Sequence, residues 1–308
     1  MEILIHPREL TQRWIDKAVE LNIKRVSLHP VGGMDAHSTL VGMLNEIEKP
    51  EFKEKIDTLI DRGIEIGYEF HAASYLLPRE LFDTHPEYFR MDEKGERTTW
   101  GNFCFSNQEA LDIMAENAVK LIEKLYRSPD EYYIWLDDAK NLFCHCENCK
   151  KLSFADHQLN FCNHLARAIR KVKPHAKICY IAYFEAVDIP KVYTPEEGVF
   201  LEYAPYERYT EKDSFSFEGD YLKLVGDLVK FFDKEDAKIL EYWYDNSIPY
   251  RYAGNKLVEF TPDNKQIKAD YDFYRGLGFK TLATFACNLD DDYVALFGEP
   301  DLSALKED

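Results

Sequence analysis

Eight short runs of β-branched and aromatic residues recur along the chain, each separated from the next by a stretch long enough for a helix, and this alternation constrains the fold most. The runs are EILI (2–5), RVSLH (25–29), IEIGYEFH (64–71), YYIWLDD (132–138), KICYIAYFE (177–185), VFLEY (199–203), KILEYWYD (238–245) and KTLATF (280–285). Between them, residues 8–22 line up Leu10, Trp14, Ala18 and Leu21 on one face, and residues 108–126 do the same with Leu111, Ala115, Ala118 and Ile122. Further helices are expected near 51–62, 157–172, 218–234 and 264–276, while Pro190 and Pro195 limit any helix after the fifth strand. Eight strands with interposed helices predict an α/β fold, a (β/α)8 TIM barrel forming one domain over residues 1–308, with a long insertion after strand three. No Gly-x-Gly-x-x-Gly follows the first strand, which removes the main support for a dinucleotide-binding fold.

Alternate residues of a barrel strand face the helices and the barrel axis, and the helix-facing set should be apolar. In strand three Ile64, Ile66, Tyr68 and Phe70 fit outward, leaving Gly67, Glu69 and His71 inward. The same phasing turns Ser27 and His29 inward from strand two, and Tyr133, Trp135 and Asp137 from strand four. Glu185, Glu202 and Glu241 are then expected inward from strands five, six and seven, although strand seven has aromatics in both phases. Several inward carboxylates at one mouth need a reason, because a buried charge is costly unless paired. Single members of such a ring can be salt-bridged or solvated.

Glycoside hydrolysis suits that ring, since one carboxyl protonates the leaving oxygen while another negative group supports the oxocarbenium-like centre. Asp137 and Asp138 end strand four and Glu241 lies across the barrel, so these three are the expected catalytic residues. Substrate contacts are expected from His6, His29 and His71 at the ends of strands one to three and from Glu69, Glu185 and Glu202. The aromatic faces of Trp100, Tyr183 and Trp243 would stack on sugar rings. No H-E-x-x-H, G-x-S-x-G or P-loop pattern occurs.

The formal net charge of −18 argues against a nucleic-acid partner. Apolar runs fall short of a membrane span, and the N-terminus lacks a basic n-region and a long apolar h-region, so a cytoplasmic protein is expected. Oligomeric state is open.

Between strands three and four the chain carries His85-Pro86-Glu87-Tyr88-Phe89, an expected hairpin turning at DEKG, and Cys104-Phe105-Ser106-Asn107 opening a helix, followed by LDDAKNLFCHCENC. This block resembles the barrel of the domain of unknown function 4838 (DUF4838), which overlaps glycoside hydrolase family 163. The resemblance implies a retaining glycosidase acting on β-linked N-acetylglucosamine through the substrate's own acetamido group, with Asp137 and Asp138 in the place of the acid and the acetamido-orienting residue.

Cys144, Cys146 and Cys149 crowd into six positions of a chain with seven cysteines. Zinc takes four soft ligands in a tetrahedron, and a tight thiolate turn supplies three. Cys104, on the neighbouring strand's loop, is placed to be the fourth, with His145 as the alternative. A disulfide calls for oxidising conditions, a redox pair would leave two thiols unused, and simple reduced thiols remain open. The cluster is similar to the structural zinc site of glycoside hydrolase family 42, which implies zinc at Cys104, Cys144, Cys146 and Cys149. The reading favoured overall is a zinc-stapled glycoside hydrolase. Its competitors are a non-catalytic carbohydrate-binding barrel and a metal-dependent isomerase or lyase using His29, Glu69 and His71.

Overall fold

A computed structural model describes residues 1–139, 141–206 and 220–306, with the side chains of Glu185 and Asp220 outside the described set. Its eight strands are β1 (Glu2–Ile5), β2 (Arg25–Leu28), β3 (Glu65–His71), β4 (Glu131–Trp135), β5 (Lys177–Ala182), β6 (Val199–Tyr203), β7 (Lys238–Glu241) and β8 (Thr281–Phe285). All pair in parallel in chain order, and β1 closes on β8 with Glu2 opposite Ala283. The expected (β/α)8 barrel is therefore what the chain forms. The strand runs extend past the ladder at β4, β5 and β7, because the last residues of each run turn out of the sheet to build the C-terminal mouth.

Helices Gln12–Glu20, Pro50–Asp61, Gln108–Ile122, Phe154–Ile169, Asp220–Phe232 and Asn264–Leu277 wrap the barrel. Three are capped by side chains, Asn107 accepting from the Ala110 N–H, Ser153 from the Asp156 N–H and Asp263 from the Gln266 N–H. A helix over Ala36–Ile47 escaped the sequence reading. Its apolar residues are interleaved with His37, Ser38, Thr39 and Gly42, which weakens the periodic signal. The insertion after β3 contains the expected hairpin: Met91 bridges Arg97 and Phe89 bridges Phe103, and the Asp92 carboxylate accepts the Lys94 and Glu96 N–H groups in the turn.

Two apolar bodies result. One fills the space between strands and helices, and the smaller fills the barrel itself with Leu4, Tyr133, Trp135, Cys179, Phe200, Leu240 and Ala283 among others. Gly67 faces this interior, where a Cβ would collide with the Ser27 hydroxyl and press on Arg25. No helix among the described residues is long and apolar enough to cross a membrane.

Candidate functional site at the barrel mouth

Leu240, on β7, belongs to the apolar body inside the barrel and Tyr242 packs against it, so this phase, with Lys238, is the inward one and Glu241 and Trp243 face the helices. Glu241 accepts the Tyr274 hydroxyl at 2.6 Å and the Trp243 indole donates to Asp270 at 2.9 Å, both partners on helix Asn264–Leu277. The expected catalytic role of Glu241 and substrate contact of Trp243 are therefore corrected. An inward lysine on β7 overturned the phasing because the barrel floor needs a cation.

That floor holds Glu69 and Glu202. Lys238 Nζ donates to Glu69 at 2.7 Å and lies 3.1 Å from Glu202 and 3.2 Å from Glu2, above the Tyr133 ring. Burial alone would pull the Lys238 pKa down, but Glu69, Tyr133, Glu202 and Glu2 together outweigh it and hold it well above its usual value. Burial pushes Glu202 up to about 8 against the pull of Lys238. Neither glutamate is among the residues lining the cavity or the recess described below, so both are moved from the expected substrate contacts to an internal charge cluster. Glu185 lies, by its side chain, outside the described residues.

Above the floor opens a cavity of about 730 Å³, lined by His6, His29 and His71, by Trp135 and Phe285 below, by Tyr183, Tyr206 and Tyr242 on one side, and by Asp138 and Asp245. Asp138, from the loop after β4, accepts the Tyr183 hydroxyl at 3.1 Å. Phe184, next in the chain, sits in the left-handed region at φ 48°, a conformation that bulky residues rarely adopt away from functional loops. Asp245, from the loop after β7, accepts the Ser247 N–H at 2.8 Å, and burial raises its pKa against that hydrogen bond. Asp245 ends the YWYD run but lies in the turn beyond β7, where strand phase does not apply, so it was not among the residues expected from sequence.

Asp137 points away from the main cavity. It meets Ser74 N–H at 3.3 Å and Arg79 at 3.4 Å, burial raises its pKa, and Asn102 accepts its backbone N–H. It lines a smaller adjoining recess of about 170 Å³ with Met34, Arg79, Trp100, Leu142 and Asp138. Asp138 thus lies where the two spaces join, and half-exposed Trp100 borders the recess. Gly32 keeps the junction open: a Cβ there would stand 3.2 Å from His71 Nε2 and 3.3 Å from Asp138 Oδ2.

The metal-dependent isomerase arrangement does not form. Glu69 turns to Lys238, and among the described residues the group able to share a metal ion is Cys104, Cys144, Cys146 and Cys149. These four buried sulfurs lie within 4.8 Å of one another, with Cys104 at 3.7 Å from Cys146 and 3.9 Å from Cys149. His145 is not needed among them; its ring packs on Phe143. Hydrogen bonding from Cys144 holds the Cys104 thiol far below its usual range, and that bond in turn pushes Cys144 up to about 11. One thiolate in so tight a group opposes the next until a cation joins them. Met91 N–H donates to Cys144 and His157 Nε2 bonds the Cys149 carbonyl, tying the cluster to the hairpin and to helix Phe154–Ile169.

Comparison with known proteins gives a match to a domain of unknown function (DUF4838) over residues 45–288. Comparison with curated proteins finds no match. Among solved structures, the chain is similar to the tandem GH20 catalytic modules of the pneumococcal exo-β-D-N-acetylglucosaminidase StrH, with TM-score 0.50 and 12% identity, covering 95% of this chain and 77% of that one. It is similar also to the cold-adapted β-galactosidase of Rahnella sp. R3, with TM-score 0.50 and 12% identity over 91% of this chain and 48% of that one. The chain spans about half the length of the galactosidase. At such identities the likeness is one of fold.

Proposed function

Given that the chain belongs to the DUF4838 family, whose match covers most of the barrel, we propose that it is a glycoside hydrolase cleaving a bond held across the Asp138 junction. The observation that carries this reading is the placement of Asp138 and Asp245, from opposite strand ends, on one aromatic-lined cavity. Asp245, whose carboxyl burial biases toward the protonated form, serves the leaving oxygen; Asp138, held by Tyr183, is the negative group beside the anomeric centre. In the substrate-assisted form, on a β-linked N-acetylhexosamine, Asp138 orients the acetamido group and Asp137 stays behind it, locking the loop through Ser74 and Arg79.

The metal that suits the four sulfurs is zinc. A Zn–S bond of about 2.3 Å sets tetrahedral S···S edges of about 3.8 Å, and the separations of 3.7 and 3.9 Å agree. Bound there, zinc supplies a structural cross-link between the loops after β3 and β4. Asp138 is only six residues before Cys144, so the staple limits how far its loop can move.

The test is hydrolysis of 4-nitrophenyl β-glycosides by the full chain. Release of nitrophenol from the N-acetyl-β-glucosaminide, abolished by Asp138→Asn and by Asp245→Asn, is the expected result. Sugar binding without cleavage of any glycoside in the set would overturn the hydrolase and leave a carbohydrate-binding barrel.

A further inference from the structure

The three histidines at the mouth are built as a series. His6 Nδ1 lies 2.8 Å from the His29 carbonyl, His29 Nδ1 lies 2.9 Å from the Glu69 carbonyl, and His71 Nδ1 lies 2.5 Å from the Leu136 carbonyl. Each ring therefore reaches across to the next strand of the barrel in the same way. A carbonyl can only accept, so each Nδ1 carries a proton, and in the neutral ring each Nε2 is left as an acceptor. All three residues line the main cavity. Ring centroids step by 6.2 Å from His6 to His29 and by 6.0 Å from His29 to His71. The family match begins at residue 45, so His6 and His29 lie outside it and belong to the part of the site that this chain's own residues must explain.

Resting on the carbohydrate reading of the same cavity, we propose that His6, His29 and His71 form a ladder of acceptors that takes hydroxyl donors from a neutral terminal hexose and rejects sugars bearing a carboxylate. Burial keeps His6 and His29 from protonating, the former against Asp245 and the latter beside two other imidazoles. A neutral sugar offers O–H donors to match three lone pairs. A uronate would set its charge against those lone pairs and against Asp138 on the same wall. Arg8 and Arg251 line the cavity too; Arg8 donates to the Asn288 side chain at 3.0 Å, and Arg251 lies in the field of Asp245. Gly32 bears on the same wall, since a Cβ there would crowd the His71 ring and stand 3.2 Å from its Nε2.

The test is long-range 1H–15N correlation of the full, metal-loaded chain with 15N-labelled histidine, titrated with N-acetylglucosamine, glucose, galactose and glucuronic acid. His6→Gln, His29→Gln and His71→Gln assign the signals. Three rings in the neutral Nδ1–H form are expected. At least one neutral sugar should shift their Nε2 resonances, with glucuronate binding at least about tenfold more weakly, the ratio that 1.4 kcal/mol of discrimination gives. Nε2–H tautomers, charged rings at neutral pH, equal binding of glucuronate, or no Nε2 response to any neutral sugar would each overturn the ladder. The tautomers are read on the unsubstituted protein, so the idea is exposed even where a variant fails to fold. Nitrophenyl glycoside cleavage without an Nε2 response would sink the ladder and leave the hydrolase standing. Sugar-induced Nε2 shifts without cleavage would do the reverse.

Discussion

The barrel axis carries inward-pointing carboxylates at two levels, and they differ in what faces them. At the floor, Glu2, Glu69 and Glu202 surround Lys238, and Arg25 reaches Glu65 and Glu131 at the lower rim. Only the bond from Lys238 to Glu69 has the alignment of a hydrogen bond; the contacts to Glu2 and Glu202 are ionic. At the mouth, Asp138 meets a tyrosine hydroxyl and Asp245 a backbone N–H, and both border open space. An inward carboxylate is thus no sign of a site by itself. A cation in direct contact makes it structural, and a neutral donor beside a cavity leaves the carboxyl for a ligand.

The largest effect should come from crossing these levels in one assay. Asp138→Asn is expected to lower kcat by about 10²- to 10⁴-fold, the usual worth of a positioned acid–base or charge-stabilising carboxylate. Its melting temperature should stay close to that of the unsubstituted chain. Glu202→Gln, at the floor, should leave kcat nearly unchanged and appear only in the melt. If Glu202→Gln silenced the enzyme while Asp138→Asn did not, the two levels would have been assigned the wrong way round.

Lys238→Met breaks the floor alone. Removing the cation strands carboxylates whose burial it offsets, and breaking such a pair costs about 3–5 kcal/mol. Urea unfolding followed by circular dichroism should show the loss, while the folded fraction keeps its kcat. Chelation comes next in size. Stripping the metal from Cys104, Cys144, Cys146 and Cys149, or substituting Cys104→Ser, should lower the melting temperature by several degrees. One zinc per chain should disappear from the native mass spectrum. The loss in kcat should be smaller than for Asp138→Asn, because the staple positions the Asp138 loop without touching a substrate.

How much of this was legible in the sequence follows from which signals are local. The eight strands are readable because β-branched runs and helical spacing are properties of neighbouring residues. The gathering of Cys104 with Cys144, Cys146 and Cys149 followed once their loops were placed on adjacent strands. The phase of β7 was not readable, since Tyr242 and Tyr244 on one face and Trp243 on the other give no apolar preference. What decides it is Lys238, whose partners Glu69 and Glu202 come from β3 and β6. The fate of Glu69, Glu202 and Glu241 therefore depended on a long-range charge match that no window of the chain contains. Asp245 was hidden for a simpler reason, lying beyond the last ladder residue in a turn that no strand phase describes.

The smallest predicted effect concerns a carboxyl that belongs to neither level. Glu9 is fully buried, accepting the His6 N–H at 2.9 Å and the Asn288 N–H at 2.7 Å, and so joins the loop after β1 to the loop after β8. Burial pushes its pKa from 4.5 up to about 8, more than those two bonds pull it down. The folded chain then binds the Glu9 proton more tightly than the unfolded chain. The resulting stabilisation is fully present below pH 4.5, declines as pH rises, and is lost once pH passes about 8. One proton of this kind changes stability by at most about 1.4 kcal/mol per pH unit. Glu202 contributes with the same sign over the same window, so the test is the difference between unsubstituted chain and Glu9→Gln. Melting temperatures measured from pH 5 to 8 should fall less steeply in Glu9→Gln, even though the variant starts lower for want of one acceptor. An identical slope in both proteins would mean that Glu9 is ionised throughout, its two N–H donors having won over burial.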